Sequence, residues 1–196
     1  MDPVVLRTER LALSTPVPLD RARVHEYCQD PLFIDYMTLP WPYTLNDAVF
    51  FLETLVPNGW RDEREFTWAL RERTGAPLLG VVGMRVQPEA RTLDVGYWLG
   101  APHRGQGLMA EAVRRAVGWA FDTLDVDTVL WECVAGNRAS AHVAAACGFA
   151  YTGEAPARAA MRDGGHPAAW HARLQRDHDP AANATTWLAE RDGGER

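Results

Sequence analysis

Tyr97-Trp-Leu-Gly-Ala-Pro-His-Arg-Gly-Gln-Gly-Leu-Met-Ala-Glu111 decides how this chain reads. A strand-like run ending at Leu99 enters a basic, glycine-rich loop, and the loop opens directly into a helical pattern over residues 107–121. Such a junction is an anion site. The N–H groups of a first helical turn have no partners within the helix, and the helix dipole adds about half a positive charge there. Gly105 and Gly107 let the backbone come close to a phosphate and take positive φ. Arg104 is expected to supply a fixed charge beside it.

Three phosphate-binding readings compete for this loop. A Walker loop needs Gly-Lys-Ser/Thr and is excluded, because every one of the 20 basic residues is arginine. A dinucleotide fingerprint fits literally as Gly105-x-Gly107-x-x-Ala110. Against it, the strand follows a meander, and the next strand, 129–134, runs into Ala-Gly-Asn without a ribose-binding carboxylate. A pyrophosphate loop for coenzyme A is the third reading. A glycine-rich helix entry that binds nothing is the alternative to all three.

Working outward, residues 4–14 alternate as an opening strand, and a helix capped by Asp20 runs to about residue 30. Residues 31–43 hold three prolines and four aromatics and cannot be regular throughout. A second helix starts at Thr44 or Asn46 and closes at Gly59. Strand-like runs at 66–72, 78–86 and 92–99, joined by short turns, predict antiparallel neighbours. After the 107–121 helix come a strand at 128–134, a helix at 139–146 and strands at 149–153 and 168–174. The order β-α-α-β-β-β-α-β-α-β-β predicts a single α+β domain, residues 1–175, with a mixed, mostly antiparallel sheet flanked by helices. Residues 176–196 are expected to form a loose tail in which Trp187 and Leu188 could dock a short helix.

A net charge of −6 without an arginine-dense tract argues against nucleic acid as a partner. No apolar run approaches the ~20 residues of a bilayer span, and the opening MDPVVLRTERL has no signal-peptide pattern, so a cytoplasmic protein is expected. Cys28, Cys133 and Cys147 form neither a disulfide framework nor a CxxC zinc site. His166, His171 and His178 show no metal spacing, so no metal is expected.

Arg104-Gly-Gln-Gly107-Leu-Met109 resembles the coenzyme A motif of the GNAT superfamily of N-acetyltransferases, Arg/Gln-x-x-Gly-x-Gly/Ala. Asn137-Arg-Ala-Ser140 and Gly148-Phe149 resemble that superfamily's Asn-x-x-Ser…Gly-Phe helix, and the element order matches from residue 4 to about 174. Gly96-Tyr-Trp-Leu99 is similar to the branch that acetylates ribosomal-protein N-termini. The resemblance implies acetyl-CoA as co-substrate and a primary amine as acceptor, reacting in a direct ternary complex. Cys133 keeps a ping-pong route open. Dimers are common in the family, so a homodimer is a further expectation.

Carried onto this chain, the resemblance places the pyrophosphate on the amides of Arg104, Gly105, Gln106, Gly107, Leu108 and Met109. It lays the pantetheine arm beside Trp98 and Leu99. Asn137 would contact the cofactor, although Asn before a helix is also a favoured N-cap. Acyl transfer to an amine needs a proton taken from the ammonium and one given to the leaving thiolate. The family's usual acid, a tyrosine, is here Ala144, so Ser140 is the candidate acid, with backbone bonding at N3 as its alternative. Glu132 is the candidate base, with an ion-paired strand residue as its alternative, and Asp94 and Glu111 are the other carboxylates nearby.

A weakly provided base favours an α-amine, with a pKa of about 7.7–8.0, over a lysine amine at about 10.4. Phe33, Trp41 and Tyr43 are expected to line the acceptor pocket, with loop anchoring as their alternative. The rivals are another acyl-CoA donor, a small-molecule amine acceptor, and a non-catalytic acyl-CoA sensor.

Overall fold

Period-2 alternation gives each strand one face for each of two apolar layers, and the sheet is built on that. In the computed structural model, which describes residues 1–177, eight strands form one sheet. Its spatial order is β1 (Leu6–Arg7), β2 (Ala12–Ser14), β3 (Glu65–Arg71), β4 (Gly80–Val86), β5 (Thr92–Leu99), β6 (Thr128–Val134), β8 (Ala168–Gln175) and β7 (Ala150–Pro156). Every neighbouring pair is antiparallel except β5 and β6, which run parallel. The expected α+β fold with a mixed, mostly antiparallel sheet is the one observed. Residues 178–196, with the expected docking of Trp187 and Leu188, lie outside the described residues.

The helices are α1 (Arg21–Tyr27), α2 (Leu32–Tyr36), α3 (Leu45–Phe50), α4 (Val56–Arg61), α5 (Leu108–Thr123) and α6 (Arg138–Ala146). Helix α5 buries Ala112, Val113, Ala116, Val117 and Ala120 against one face of the sheet, an i, i+3/i+4 stripe whose alanines allow close approach. On the same face Trp60, Phe66, Trp68 and Trp119 form an aromatic cluster with centroids 5.0 to 5.9 Å apart, edge-to-face in every contact except the tilted Trp60–Trp119 pair. The opposite face carries a second apolar layer, in which Val24 of α1, Leu52 and Trp98 of β5 are buried.

Two local expectations are corrected and one is borne out. The opening strand is a hairpin, because Thr8 breaks it: its hydroxyl accepts the Leu11 N–H (2.9 Å) and its own N–H reaches the Leu11 carbonyl (2.9 Å). The segment 31–43 is not regular throughout, as expected, and holds one short helix, α2. The second helix does not close at Gly59 but continues through a π turn (Phe51–Leu55) and α4 to Arg61. Gly59 is there for a different reason, since a Cβ at that position would lie 2.6 Å from the Glu65 carbonyl at the start of β3. Thr44 is the N-cap, sharing a reciprocal capping box with Asp47.

Candidate active site

The parallel pair is where the sheet opens. Ladder pairing between β5 and β6 covers only Thr92–Asp94 against Thr128–Leu130, and past that point the strands separate. The β6-facing edge of β5 from Val95 to Leu99 thus offers free N–H and C=O groups to an extended, amide-bearing ligand. Each of the two parallel strands leads into a helix, so the N-termini of α5 and α6 sit at the same end of the split. Ligands of α/β sheets bind at this kind of place.

The loop between β5 and α5 is the expected cradle. Gly107, the α5 N-cap, has φ 73° and supplies no side-chain acceptor, so the N–H groups of Leu108, Met109 and Ala110 have no capping side chain. Gly105 also has positive φ, 75°. Met109 is buried in the core, which accounts for a large residue at that position of the motif.

The expected phosphate-side charge of Arg104 is corrected. Its Nε donates to the Leu99 carbonyl (2.9 Å), its guanidinium pairs with Asp30 (2.7 Å) and it lies over the Phe33 ring at 5.8 Å. The side chain therefore stitches the loop to the α1–α2 connection. The arginine beside the cradle is Arg10, which donates to the Gln106 carbonyl (2.9 Å) and pairs with Glu111 of α5 (2.6 Å). Nothing local in the sequence marks Arg10, because its partners are about a hundred positions away.

At the second helix N-terminus, Asn137 Oδ1 accepts the Ser140 N–H (3.1 Å), so its capping role is the observed one. The Ser140 hydroxyl does not turn back to its own helix. It donates to the Tyr97 hydroxyl (3.2 Å), which spans the split from β5.

The other face of the split is charged. Glu132 accepts from Arg158 Nε (2.9 Å) and the Arg158 N–H (3.1 Å), with His171 at 3.5 Å, which is the ion-paired alternative. These bonds hold the β7–β8 connection, and Arg162 of the same connection donates to the carbonyls of Phe33, Ile34 and Leu39 at the end of α2. Asp94, which pairs with Leu130 at the last rung of the split, is half-buried, and no hydrogen bond or salt bridge reaches it among the described residues. Burial raises its pKa above the ordinary carboxylate value; Arg85 and Arg158 pull it down, while Glu65 and Glu132 add to the rise.

Phe33 and Tyr43 are corrected as pocket-lining residues. Both are buried, at 6% and 5% exposure, Phe33 against Trp98 and Tyr43 beside Cys28. Aromatics anchoring a proline-rich segment to the core explain this; Trp41, 37% exposed, is the one that reaches the surface. Cys133 is buried, and burial together with the charge of Glu132 pushes its thiol up to about 12, far from a ready nucleophile.

The state of Asp94 has a measurable consequence. A carboxylate whose folded pKa exceeds its unfolded one contributes fully below the unfolded pKa and loses that contribution as pH rises through the folded one. Asp94→Asn should therefore raise the melting temperature at pH 7–8, and the gain should vanish near pH 3. A lowered melting temperature at neutral pH would show that the carboxylate has stabilising partners.

A mixed sheet that splits between its two parallel strands, with a glycine-bearing helix start at the open end, defines an α+β domain of distinctive topology. The acetyltransferase (GNAT) domain family matches residues 10–150, and the chain belongs to that family. It is 25% identical over 117 residues to the ribosomal-protein-serine acetyltransferase of Escherichia coli (strain K12), covering 59% of this chain and 65% of that one, just under two thirds of the relative. Among solved structures, the microcin C7 self-immunity acetyltransferase MccE, in complex with acetyl-CoA and AMP, superposes with TM-score 0.74 at 21% identity, covering 86% and 93% of the two chains. RimL, a ribosomal L7/L12 α-N-protein acetyltransferase in complex with coenzyme A, gives TM-score 0.74 at 17% identity, covering 90% and 100%. These likenesses establish the fold. Among the described residues no helix is long and apolar enough to cross a membrane, and no cluster of His, Cys, Asp or Glu is arranged to hold a metal ion.

Proposed function

We propose that this chain transfers an acetyl group from acetyl-CoA to a primary amine, and that the acceptor is the α-amine of a protein or peptide N-terminus. The observation that carries the reading is the open edge of β5 running into the uncapped N-terminus of α5. An amide-rich arm ending in a pyrophosphate fits that pair of features, with ladder-type hydrogen bonds along the strand and N–H groups at its end. The ribosomal-protein acetyltransferases among the relatives support a protein N-terminus as acceptor, and a cytoplasmic location goes with it.

When bound, the thioester supplies the activated acyl group. Asp94, unpaired at the foot of the split, takes the proton of the incoming ammonium, and burial, which raises its pKa, makes it a stronger base than an exposed carboxylate. An α-amine needs little more than this, being partly neutral at pH 7.4 already. Ser140 holds a proton at the α6 side of the split for the leaving sulfur. Glu132 acts through Arg158, fixing the β7–β8 connection that borders the acceptor face.

Acetyl-CoA at about 100 times its Kd should stabilise the protein by about 2.7 kcal/mol. That is a melting-temperature rise of roughly 2–4 °C per kcal/mol for a domain of this size, with no rise for NAD. Turnover is then compared on a peptide with a free α-amine, an Nα-blocked peptide with a free lysine, and small amines. Preference for the free α-amine supports the proposal. Faster turnover of the lysine or of small amines overturns the acceptor, and absence of a shift with acetyl-CoA overturns the donor.

A further inference from the structure

The Tyr97 hydroxyl lies beneath the split, between β5, β6 and the first turn of α6. It accepts from Trp131 Nε1 (2.8 Å) and from Ser140 Oγ (3.2 Å), and it donates to the Ser140 carbonyl (2.9 Å). A phenol has one proton to give and room to accept two, so the oxygen is saturated. It is held from two directions, by an indole of β6 and by the α6 backbone, and cannot swing without breaking both.

Ser140 sits at N3 of its helix, where a serine ordinarily turns its hydroxyl to nearby backbone. Here the N-cap bond is made by Asn137, which takes the Ser140 N–H and leaves the serine hydroxyl for another partner. That partner is Tyr97. Position 144, where the resemblance implies a tyrosine in the family, is a fully buried alanine, and the phenol beside Ser140 is delivered by β5 instead.

We propose that Tyr97 is a positioning residue for acyl transfer: its hydroxyl, fixed by Trp131 and by the α6 backbone, locks the Ser140 side chain into the split. This rests on the acyl-transfer reading above. When the serine proton turns toward another acceptor, the Tyr97 proton rotates from the Ser140 carbonyl to Ser140 Oγ, so the pair stays hydrogen-bonded and the serine oxygen keeps its place. No proton passes through Tyr97, whose burial holds it as a neutral phenol.

The test is a double-mutant cycle in kcat, with the KM for acetyl-CoA measured alongside, on wild type, Ser140→Ala, Tyr97→Phe and the double variant. Tyr97→Phe should lower kcat about tenfold and leave that KM within about twofold. In the Ser140→Ala background the same change should alter kcat less than about twofold, because the group it positions is gone. Equal losses in both backgrounds, or no loss in the single variant, overturn the positioning role while the acyl-transfer reading stands. A Ser140→Ala enzyme with wild-type kcat overturns the role of Ser140 and the inference with it. A wild-type protein that turns over no amine overturns the reading itself. If Tyr97→Phe does not fold, 3-fluorotyrosine at position 97 keeps the shape and changes the hydrogen-bond strength. Its effect on kcat should appear only when Ser140 is present, and an identical effect without Ser140 overturns the proposal.

Discussion

Arg71→Met is expected to lower the unfolding free energy by about 3–5 kcal/mol, the cost of leaving one member of a buried ion pair alone. Arg71 ends β3 at 4% exposure, and Asp20, at the start of α1, has 6%. The two are joined as a fork, Nη1 to Oδ1 at 2.8 Å and Nη2 to Oδ2 at 2.5 Å. Two further donors are used, Nε by Ser14 Oγ (3.0 Å) and Nη1 by the Ala76 carbonyl (2.8 Å). Methionine fills the stem's space and gives none of these bonds, so the Asp20 carboxylate keeps only the Val17 N–H (2.9 Å). Thermal unfolding should show a midpoint about 10 °C lower, at roughly 2–4 °C per kcal/mol. The paired variant Arg71→Met/Asp20→Leu should recover most of the loss, because an apolar pair of similar volume often replaces a buried ion pair without penalty. Equal destabilisation of the single and paired variants would place the cost in packing around Ser14 and Ala76.

The same salt bridge shows why part of this protein is legible in its sequence and part is not. Arg71 closes a mainly apolar strand, Phe66-Thr-Trp-Ala-Leu-Arg71, and nothing local marks it as half of a buried pair, because its partner is 51 positions away. The elements themselves are local facts. The 92–99 run alternates, and the strand is Thr92–Leu99; the 107–121 stripe has a helical period, and α5 is Leu108–Thr123. The cradle is legible for the same reason, since two glycines between a strand and a helix permit the positive φ that both adopt at that junction.

Side-chain direction is a tertiary matter, and there the sequence misled. Arg104 sits in the loop, yet Asp30 and the Phe33 ring draw its guanidinium back to the α1–α2 connection, and Arg10 comes in from the opening hairpin. Glu132 and Asp94 looked alike as carboxylates on strands. Their difference comes from Arg158 of the β7–β8 connection, which binds one and leaves the other without a hydrogen-bonding partner. Only register puts them on the same face beside the split: Glu132 faces His171, and Asp94 faces Leu130.

Gly107→Val should weaken coenzyme A binding by about 10- to 100-fold, the equivalent of about 1–3 kcal/mol of backbone strain at a left-handed position. The argument is conformational and not steric. A Cβ at Gly107 would meet nothing closer than Arg10 Nη2 at 3.6 Å, an ordinary contact, so valine has the space it needs. What it does not tolerate is φ 73° at the α5 N-cap. To relieve that strain the loop must turn out of the left-handed region, and the N–H groups of Leu108 and Met109 then no longer converge on one anion. Asn, which visits this region at lower cost, should give an intermediate loss. Gly118→Ala serves as the control within the same helix, since a Cβ there meets nothing within 4 Å. It should leave the affinity unchanged and raise stability by about 0.4–1 kcal/mol. Isothermal titration with coenzyme A orders the four proteins. The order wild type and Gly118→Ala, then Gly107→Asn, then Gly107→Val follows if the α5 N-terminus holds the pyrophosphate. Equal affinities across the series would mean that the phosphates are held by side chains elsewhere, and the cradle would lose its role even though its geometry stands.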